Sequence, residues 1–316
     1  MSDLETDSRN PLVGAPLHTR LWAYQADRFP LGKTAILLGV FSSASISVSA
    51  HLADRGLPHI GIFVATWLIV LIIFFQMRAC DEYKDLDDDQ RYRPERPIPS
   101  GLVSLKLILS LAASAGFVAI GLTVSVFPPL LVLLLVVWLW LGLMTVEFFV
   151  PVWLKRQPFL YLVSHMAIMP LIDLFVTGAE WLPFGSSPPA GLWIFLCLSF
   201  VNGCVLELGR KVWAPENERT GVETYSALMG PVHAVWTWSA TCVLAWILLV
   251  FLGARLDVLL SLAVPSGIML CVILVGAARF ARESTPARQS QIDTLAGLWV
   301  LICYCLAGFA PFIAGG

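Results

Sequence analysis

The chain has 316 residues, 58% of them hydrophobic and only 13% charged, with a formal net charge of −2. A water-soluble domain needs roughly 25% charged residues to cover its surface, so a soluble globular fold is excluded. The near-zero net charge gives no reason to expect nucleic acid as a partner.

Residues 1–30 mix acidic residues, Pro and Gly with no apolar run long enough for a signal peptide, and read as a flexible cytoplasmic tail. Residues 31–316 read as a single all-α, polytopic membrane domain. A helical span needs about 20 apolar residues. Nine stretches qualify, near 33–53, 59–79, 103–126, 128–149, 159–182, 189–210, 229–252, 256–279 and 292–314. Pro170, Pro231 and Pro265 interrupt some of them, which membrane helices tolerate when neighbours re-satisfy the freed backbone groups. With the amino terminus inside, 18 of the 20 Lys and Arg fall in cytoplasmic segments, leaving only Arg55 and Arg255 outside. The positive-inside rule therefore supports nine spans, a cytoplasmic amino terminus and a carboxyl terminus on the opposite side. The 7 cysteines lie mostly within spans and read as small hydrophobes, their odd number arguing against a disulfide framework.

Span 2 ends in Asp81-Glu82-Tyr83-Lys84-Asp85-Leu86-Asp87-Asp88-Asp89, followed by Arg91-Tyr92-Arg93-Pro94-Glu95-Arg96-Pro97-Ile98-Pro99-Ser100-Gly101. Asp81, Asp85 and Asp89 recur every four residues, so a continuing helix puts all three carboxylates on one face. Like charges so close repel unless a cation lies between them. Mg²⁺ takes one or two carboxylates and fills its other positions with water and phosphate oxygens. The acidic face beside an arginine-rich stretch reads as a site for a metal-bridged diphosphate; a solvated charge run at a helix end is the competing reading.

Glu147, near the cytoplasmic end of span 4, reads as structural, and Lys155-Arg156 follow it. In span 5, Asp173 stands roughly 20 Å from the cytoplasmic end at 1.5 Å per residue, with His165 eight residues before it on the same face. Ionisable groups inside a bilayer are costly enough to count as functional candidates. Asp173 reads either as a catalytic group or as a structural carboxylate paired with His165 or a backbone donor. After span 6 comes Glu207-Leu208-Gly209-Arg210-Lys211-Val212-Trp213-Ala214-Pro215-Glu216-Asn217-Glu218-Arg219. A helix continuing to Ala214 would put Glu207, Arg210, Lys211 and Ala214 on one face, with Pro215 ending it and Glu216 and Glu218 in the loop beyond. His233 in span 7 reads as structural. Two acidic loops four spans apart suggest a pseudo-repeat of spans 1–4 and 5–8.

Asp81-x-x-x-Asp85-x-x-x-Asp89 followed by Arg96-Pro97-Ile98-Pro99-Ser100-Gly101 resembles the first signature of the UbiA superfamily of intramembrane prenyltransferases, with Asp81 where that signature has Asn. Glu216-Asn217-Glu218-Arg219-Thr220-Gly221-Val222-Glu223-Thr224 is similar to the end of the second. The acidic triplet of that second signature falls on Glu207, Ala214 and Glu218, so one ligand is missing and Glu216 is the candidate substitute. Lys155-Arg156 falls where many members carry a Lys-Arg pair. The resemblance covers most of the chain from about residue 30. It implies a UbiA-like bundle of nine helices with both Asp/Glu-rich loops facing the cytoplasm.

The resemblance further implies Mg²⁺ as cofactor, held by Asp81, Asp85, Asp89, Glu207, Glu216 and Glu218. It implies a prenyl diphosphate whose phosphates meet Arg96, Lys155, Arg156, Arg210 and Lys211. Asp85 would be catalytic through the metal, and Asp173 by taking a proton or steadying a cation far along the prenyl tail. Loss of diphosphate leaves an allylic cation, so aromatics such as Phe74, Phe75, Trp138, Trp140, Phe148, Phe149, Phe200 and Trp236 are expected to line the cavity. The expected reaction is prenyl transfer to a small aromatic or lipid acceptor; a terpene cyclase needing no acceptor is the alternative. A cation or lipid transporter fits less well, because transporters bind near the membrane midplane.

Overall fold

In lipid, a backbone finds hydrogen-bond partners only within itself, so apolar runs of about 20 residues become helices. The computed structural model describes residues 11–185 and 187–314, and all regular structure among them is helical. In chain order these are α1 (Leu17–Arg28), α2 (Leu31–Leu52), α3 (Ile60–Lys84), α4 (Leu86–Tyr92), α5 (Leu105–Val126), α6 (Leu131–Thr145) and α7 (Pro151–Lys155). They continue with α8 (Pro158–Met166), α9 (Ile168–Trp181), α10 (Leu192–Arg210), α11 (Tyr225–Met229), α12 (Pro231–Arg255), α13 (Leu259–Arg282) and α14 (Pro286–Ala314). Among the described residues nine stretches are long and apolar enough to cross a membrane, as the hydropathy pattern predicts. Span 4 is Pro128–Thr145, and span 5 is α8 and α9 together, Pro158–Phe184. The protein is an integral membrane protein.

The centre of the bundle is formed by α2, α9, α10, α12 and α14, whose Ile46, Phe175, Phe195, Trp238 and Trp299 are fully buried. Phe117 of α5, Leu139 of α6 and Leu260 of α13 point outward, as lipid-facing side chains do.

Three local results differ from the sequence pattern. The tail is not uniformly loose: residues 1–10 lie outside the described ones, but α1 docks on the ends of α3 and α5. Its Leu21 and Tyr24 pack against Phe75, Ala79, Leu102 and Ile108, Arg20 Nε donates to the Leu102 carbonyl at 2.6 Å, and Arg28 Nε donates to Glu82 Oε1 at 2.6 Å. Span 4 stops at Thr145 instead of running to 149, because Glu147, Phe148 and Phe149 take φ values of 47°, 53° and 62°. And α10 stops at Arg210, leaving Ala214 extended. Ala214 therefore shares no helix face with Glu207; it is fully buried, and its N–H donates to Gln289 of α14 at 2.8 Å.

Candidate functional site

Helix α3 ends at Lys84, Asp85 caps it, and α4 starts at the next residue. The helical ladder survives this kink: the Asp85 N–H donates to Asp81 O at 2.9 Å and the Asp89 N–H to Asp85 O at 2.8 Å. Asp81, Asp85 and Asp89 therefore stay in a period-four stack, but their surroundings differ. Asp89 is buried, receives Arg96 Nη1 at 2.9 and 2.7 Å, and has Arg93 Nε 3.0 Å away. Asp81 is half-exposed, with Arg78 no closer than 3.7 Å. Asp85 is partly buried within electrostatic range of Lys84.

In the second loop, Glu207 holds Arg210 Nη2 at 2.8 Å and Lys211 Nζ at 3.0 Å. Glu218 accepts a hydrogen bond from Thr224 Oγ1 at 2.7 Å, the same hydroxyl that caps α11. Glu216 is exposed, as is Arg156. The two signature loops touch directly. Gly221, at φ +79°, packs on the ring of Tyr92 of α4 so closely that a Cβ would come within 2.5 Å of it. A cleft of about 520 Å³ opens beside this contact, lined by Arg93 of the first loop, Arg210, Lys211 and Glu223 of the second, and Gln289 and Asp293 of α14.

The segment between spans 4 and 5 meets the first signature loop through an ion pair. Lys155 Nζ stands 4.0 Å from Asp88 and 3.9 Å from Glu147. Glu147 is only 3% exposed, and neither of its carboxylate oxygens accepts a hydrogen bond. Burial pushes its carboxyl above the usual carboxylate range, against the pull of Lys155 and Lys84. Lys84 Nζ donates to Tyr161 OH at 2.7 Å, and the Tyr161 ring stacks on His165 at 3.8 Å. Phe148 fits edge-on between Trp140 and His165, at 5.4 and 6.2 Å. Phe149 and Trp236, by contrast, are exposed on the outside of the bundle.

Asp173 does not meet His165, because eight residues of helix at 1.5 Å each put about 12 Å between them. It is fully buried, accepting Ser45 Oγ of α2 at 2.6 Å and Tyr304 OH of α14 at 2.7 Å, while Tyr304 also reaches Ser199 of α10 at 3.2 Å. Its carboxylate ties four helices together. Among the predicted residues, the folded chain thus gathers Asp81, Asp85, Asp89, Arg96, Lys155, Glu207, Arg210 and Lys211 at one face and leaves Asp173 deep in the bundle. Lys84, Tyr161, His165 and Glu147 belong to that face too, although the sequence pattern did not single them out for it.

Among the described residues no three His, Cys, Asp or Glu side chains form a ready-made metal cage. The reason is local: Asp89 and Glu207 are already matched by cations. The donors nevertheless suit an ion that needs only one or two carboxylates and completes its shell with water and phosphate oxygens. Asp81 and Asp85, to which no cation is hydrogen-bonded among the described residues, are the candidates for those carboxylates.

The UbiA prenyltransferase family model matches residues 40–312. A search of curated protein sequences found no match. Solved structures of similar fold include an apo UbiA homologue from Aeropyrum pernix K1, at 17% identity and a TM-score of 0.66, covering 88% of this chain and 97% of that one. Another is described as digeranylgeranylglyceryl phosphate synthase, at 16% identity and a TM-score of 0.61, covering 92% and 98%. A UbiA homologue from Archaeoglobus fulgidus bound to DMAPP and Mg²⁺ is 10% identical with a TM-score of 0.54, covering 88% and 97%. At those identities the likeness establishes the shared fold. The chain belongs to the UbiA prenyltransferase family.

Proposed function

We propose that this family member transfers a prenyl group from a prenyl diphosphate to a small aromatic or lipid acceptor within the membrane, at a Mg²⁺-dependent site facing the cytoplasm. One observation carries the reading: two acidic loops far apart in sequence pack on each other through Gly221 and Tyr92, beside a cleft lined by Arg93, Arg210 and Lys211. The Archaeoglobus relative, solved with a prenyl diphosphate and Mg²⁺, supports the same chemistry. The cytoplasmic placement rests on the basic residues, 18 of 20 of which cluster on that side.

Lys155, Arg210 and Lys211 donate charge-assisted hydrogen bonds to the phosphate oxygens. To do so, Arg210 and Lys211 exchange Glu207 for the incoming diphosphate, so the resting ion pairs hold these cations in place until the donor arrives. Asp81 and Asp85 would hold Mg²⁺, which when bound neutralises charge building on the leaving group. Phe148 and Trp140 form an apolar wall that excludes water from the cationic prenyl carbon.

The test is diphosphate release from the purified protein with Mg²⁺ and geranyl, farnesyl or geranylgeranyl diphosphate, each with and without acceptors. Release that depends on acceptor supports transfer. Release without any acceptor identifies a terpene cyclase instead, and no release with any donor overturns the prenyl-diphosphate reading.

A further inference from the structure

Between spans 4 and 5 the backbone is left-handed at Glu147, Phe148 and Phe149, with φ values of 47°, 53° and 62°. For residues other than glycine this conformation costs about 1–2 kcal/mol each. Strain of this kind persists only where the surroundings enforce it, and it gathers at functional sites. Here it throws Phe149 outward to 76% exposure, sets Phe148 against His165, and turns Glu147 inward to 3% exposure.

What Glu147 meets inside is unlike the environment of the other buried carboxylates among the described residues. Asp89 has Arg96, Asp173 has Ser45 and Tyr304, and Glu180 has Ser49 and Arg55, all within hydrogen-bond distance. Glu147 has no donor on either oxygen. Its nearest cation, Lys155 Nζ, lies at 3.9 Å, beyond hydrogen-bond reach, and is shared with Asp88. An acceptor left buried and unpaired costs about 1–3 kcal/mol, more when charged. The charged groups facing it are Lys84 and Asp85 at the end of span 2, Lys155 of α7, and Glu223 of the second signature loop. The carboxylate is therefore enclosed between the end of span 2, α7 and the second signature loop, next to Phe148.

We propose that Glu147 is the acceptor-binding group of this site, receiving a hydrogen bond from the acceptor's nucleophilic O–H or N–H and taking its proton during transfer. This rests on the prenyl-transfer reading and narrows it: the acceptor is a hydroxyl or amine compound whose attacking atom carries a proton. In the step, a lone pair on that oxygen or nitrogen forms a bond to C1 of the prenyl group. The bond from C1 to the diphosphate oxygen breaks, its electron pair leaving with diphosphate. The acceptor's proton passes to a Glu147 oxygen and from there to water.

The test compares the full-length protein with Glu147→Gln in detergent, using Mg²⁺, geranylgeranyl diphosphate and a panel of long-chain alcohols, phenols and amines. Binding of a non-hydrolysable thiolodiphosphate analogue and the melting temperature are measured alongside. Glu147→Gln is expected to bind the analogue within twofold of wild type and to melt no lower, since a buried unpaired charge has been removed. Its prenyl transfer should fall about 100-fold or more, the loss of a general base. A variant that transfers at the wild-type rate, or that melts several degrees lower, overturns the assignment and leaves Glu147 a structural partner of Lys155. Wild-type protein that releases diphosphate with no acceptor, or releases none at all, overturns the prenyl-transfer reading and this assignment together. Wild-type turnover with a normal variant overturns the assignment alone.

Discussion

Two groups of carboxylates sit in this bundle under opposite conditions. In the middle of the helices Asp173 is met by Ser45 and Tyr304, and at the far end of α9 Glu180 is met by Ser49 and both Nε and Nη2 of Arg55. At the loop face, Glu147 accepts no hydrogen bond, and the cation paired with Asp81, Arg78, stays at 3.7 Å, beyond hydrogen-bond reach. A membrane interior makes every unmatched charge expensive, so the matched set holds helices together and the unmatched set is where a ligand has energy to return. The lesson is that acidity alone does not mark the site. Missing partners do.

The sharpest way to test this contrast is Asp85→Asn. Removing one carboxylate from the unmatched set should cut diphosphate release about 100-fold or more, on the scale of losing one electrostatic contact to a transition state. Melting temperature should stay within a degree, because no protein partner loses its bond. Activity retained in this variant would remove Asp85 from the metal site and blur the distinction between the two groups.

The reverse result is expected at the midplane. Asp173→Ala leaves Tyr304 and Ser45 facing a void and should destabilise the fold by about 1–3 kcal/mol, read as a lower melting temperature in detergent. Diphosphate release per folded molecule should be unchanged. A changed product profile instead would return Asp173 to the chemistry, as a group acting on the far end of the prenyl chain.

A smaller effect should come from the contact that joins the two loops. Gly221→Ala introduces a Cβ at φ +79° against the Tyr92 ring. The conformational cost is about 1–2 kcal/mol, and the ring must swing aside to admit the methyl. The expected outcome is a raised KM for the prenyl diphosphate with little change in melting temperature; an unchanged KM would show that the loops need not stay in register.

Much of this arrangement is legible in the residues. Long apolar runs become helices in lipid with little choice, and the period-four spacing of Asp81, Asp85 and Asp89 survives because backbone hydrogen bonds carry through the kink at Asp85. Helix ends were less legible. Phe148-Phe149-Val150 is as apolar as the span before it, so hydropathy extends span 4 past the point where the backbone turns left-handed. Pro151 was the one available warning, since residues before proline avoid the α conformation. Likewise, eight-residue spacing puts His165 and Asp173 on one face but about 12 Å apart along the axis, too far to pair. The amphipathic spacing of Leu17, Leu21, Tyr24 and Arg28 in α1 was hidden in a polar, Pro-containing tail. Whether a buried carboxylate has a donor depends on residues scores of positions away, such as Tyr304 for Asp173, and no local pattern carries that.

The smallest effect bears directly on the comparison between matched and unmatched acids, and its sign can be worked out. Burial raises the Glu147 carboxyl in the folded protein above its ordinary value of 4.5, with Asp85 and Glu223 adding to the rise and Lys155 and Lys84 opposing it. The folded state thus binds its proton more tightly than the unfolded state. Stability from that proton is fully present below the unfolded value and is lost as pH rises through the folded one. Glutamine at 147 has no such dependence. The melting temperatures of wild type and Glu147→Gln should therefore coincide near pH 4 and separate as pH rises toward neutral, with the variant the higher of the two. A gap that instead opens in favour of wild type at neutral pH would mean that Lys155 matches Glu147 as fully as Arg96 matches Asp89, and the two classes of buried acid would collapse into one.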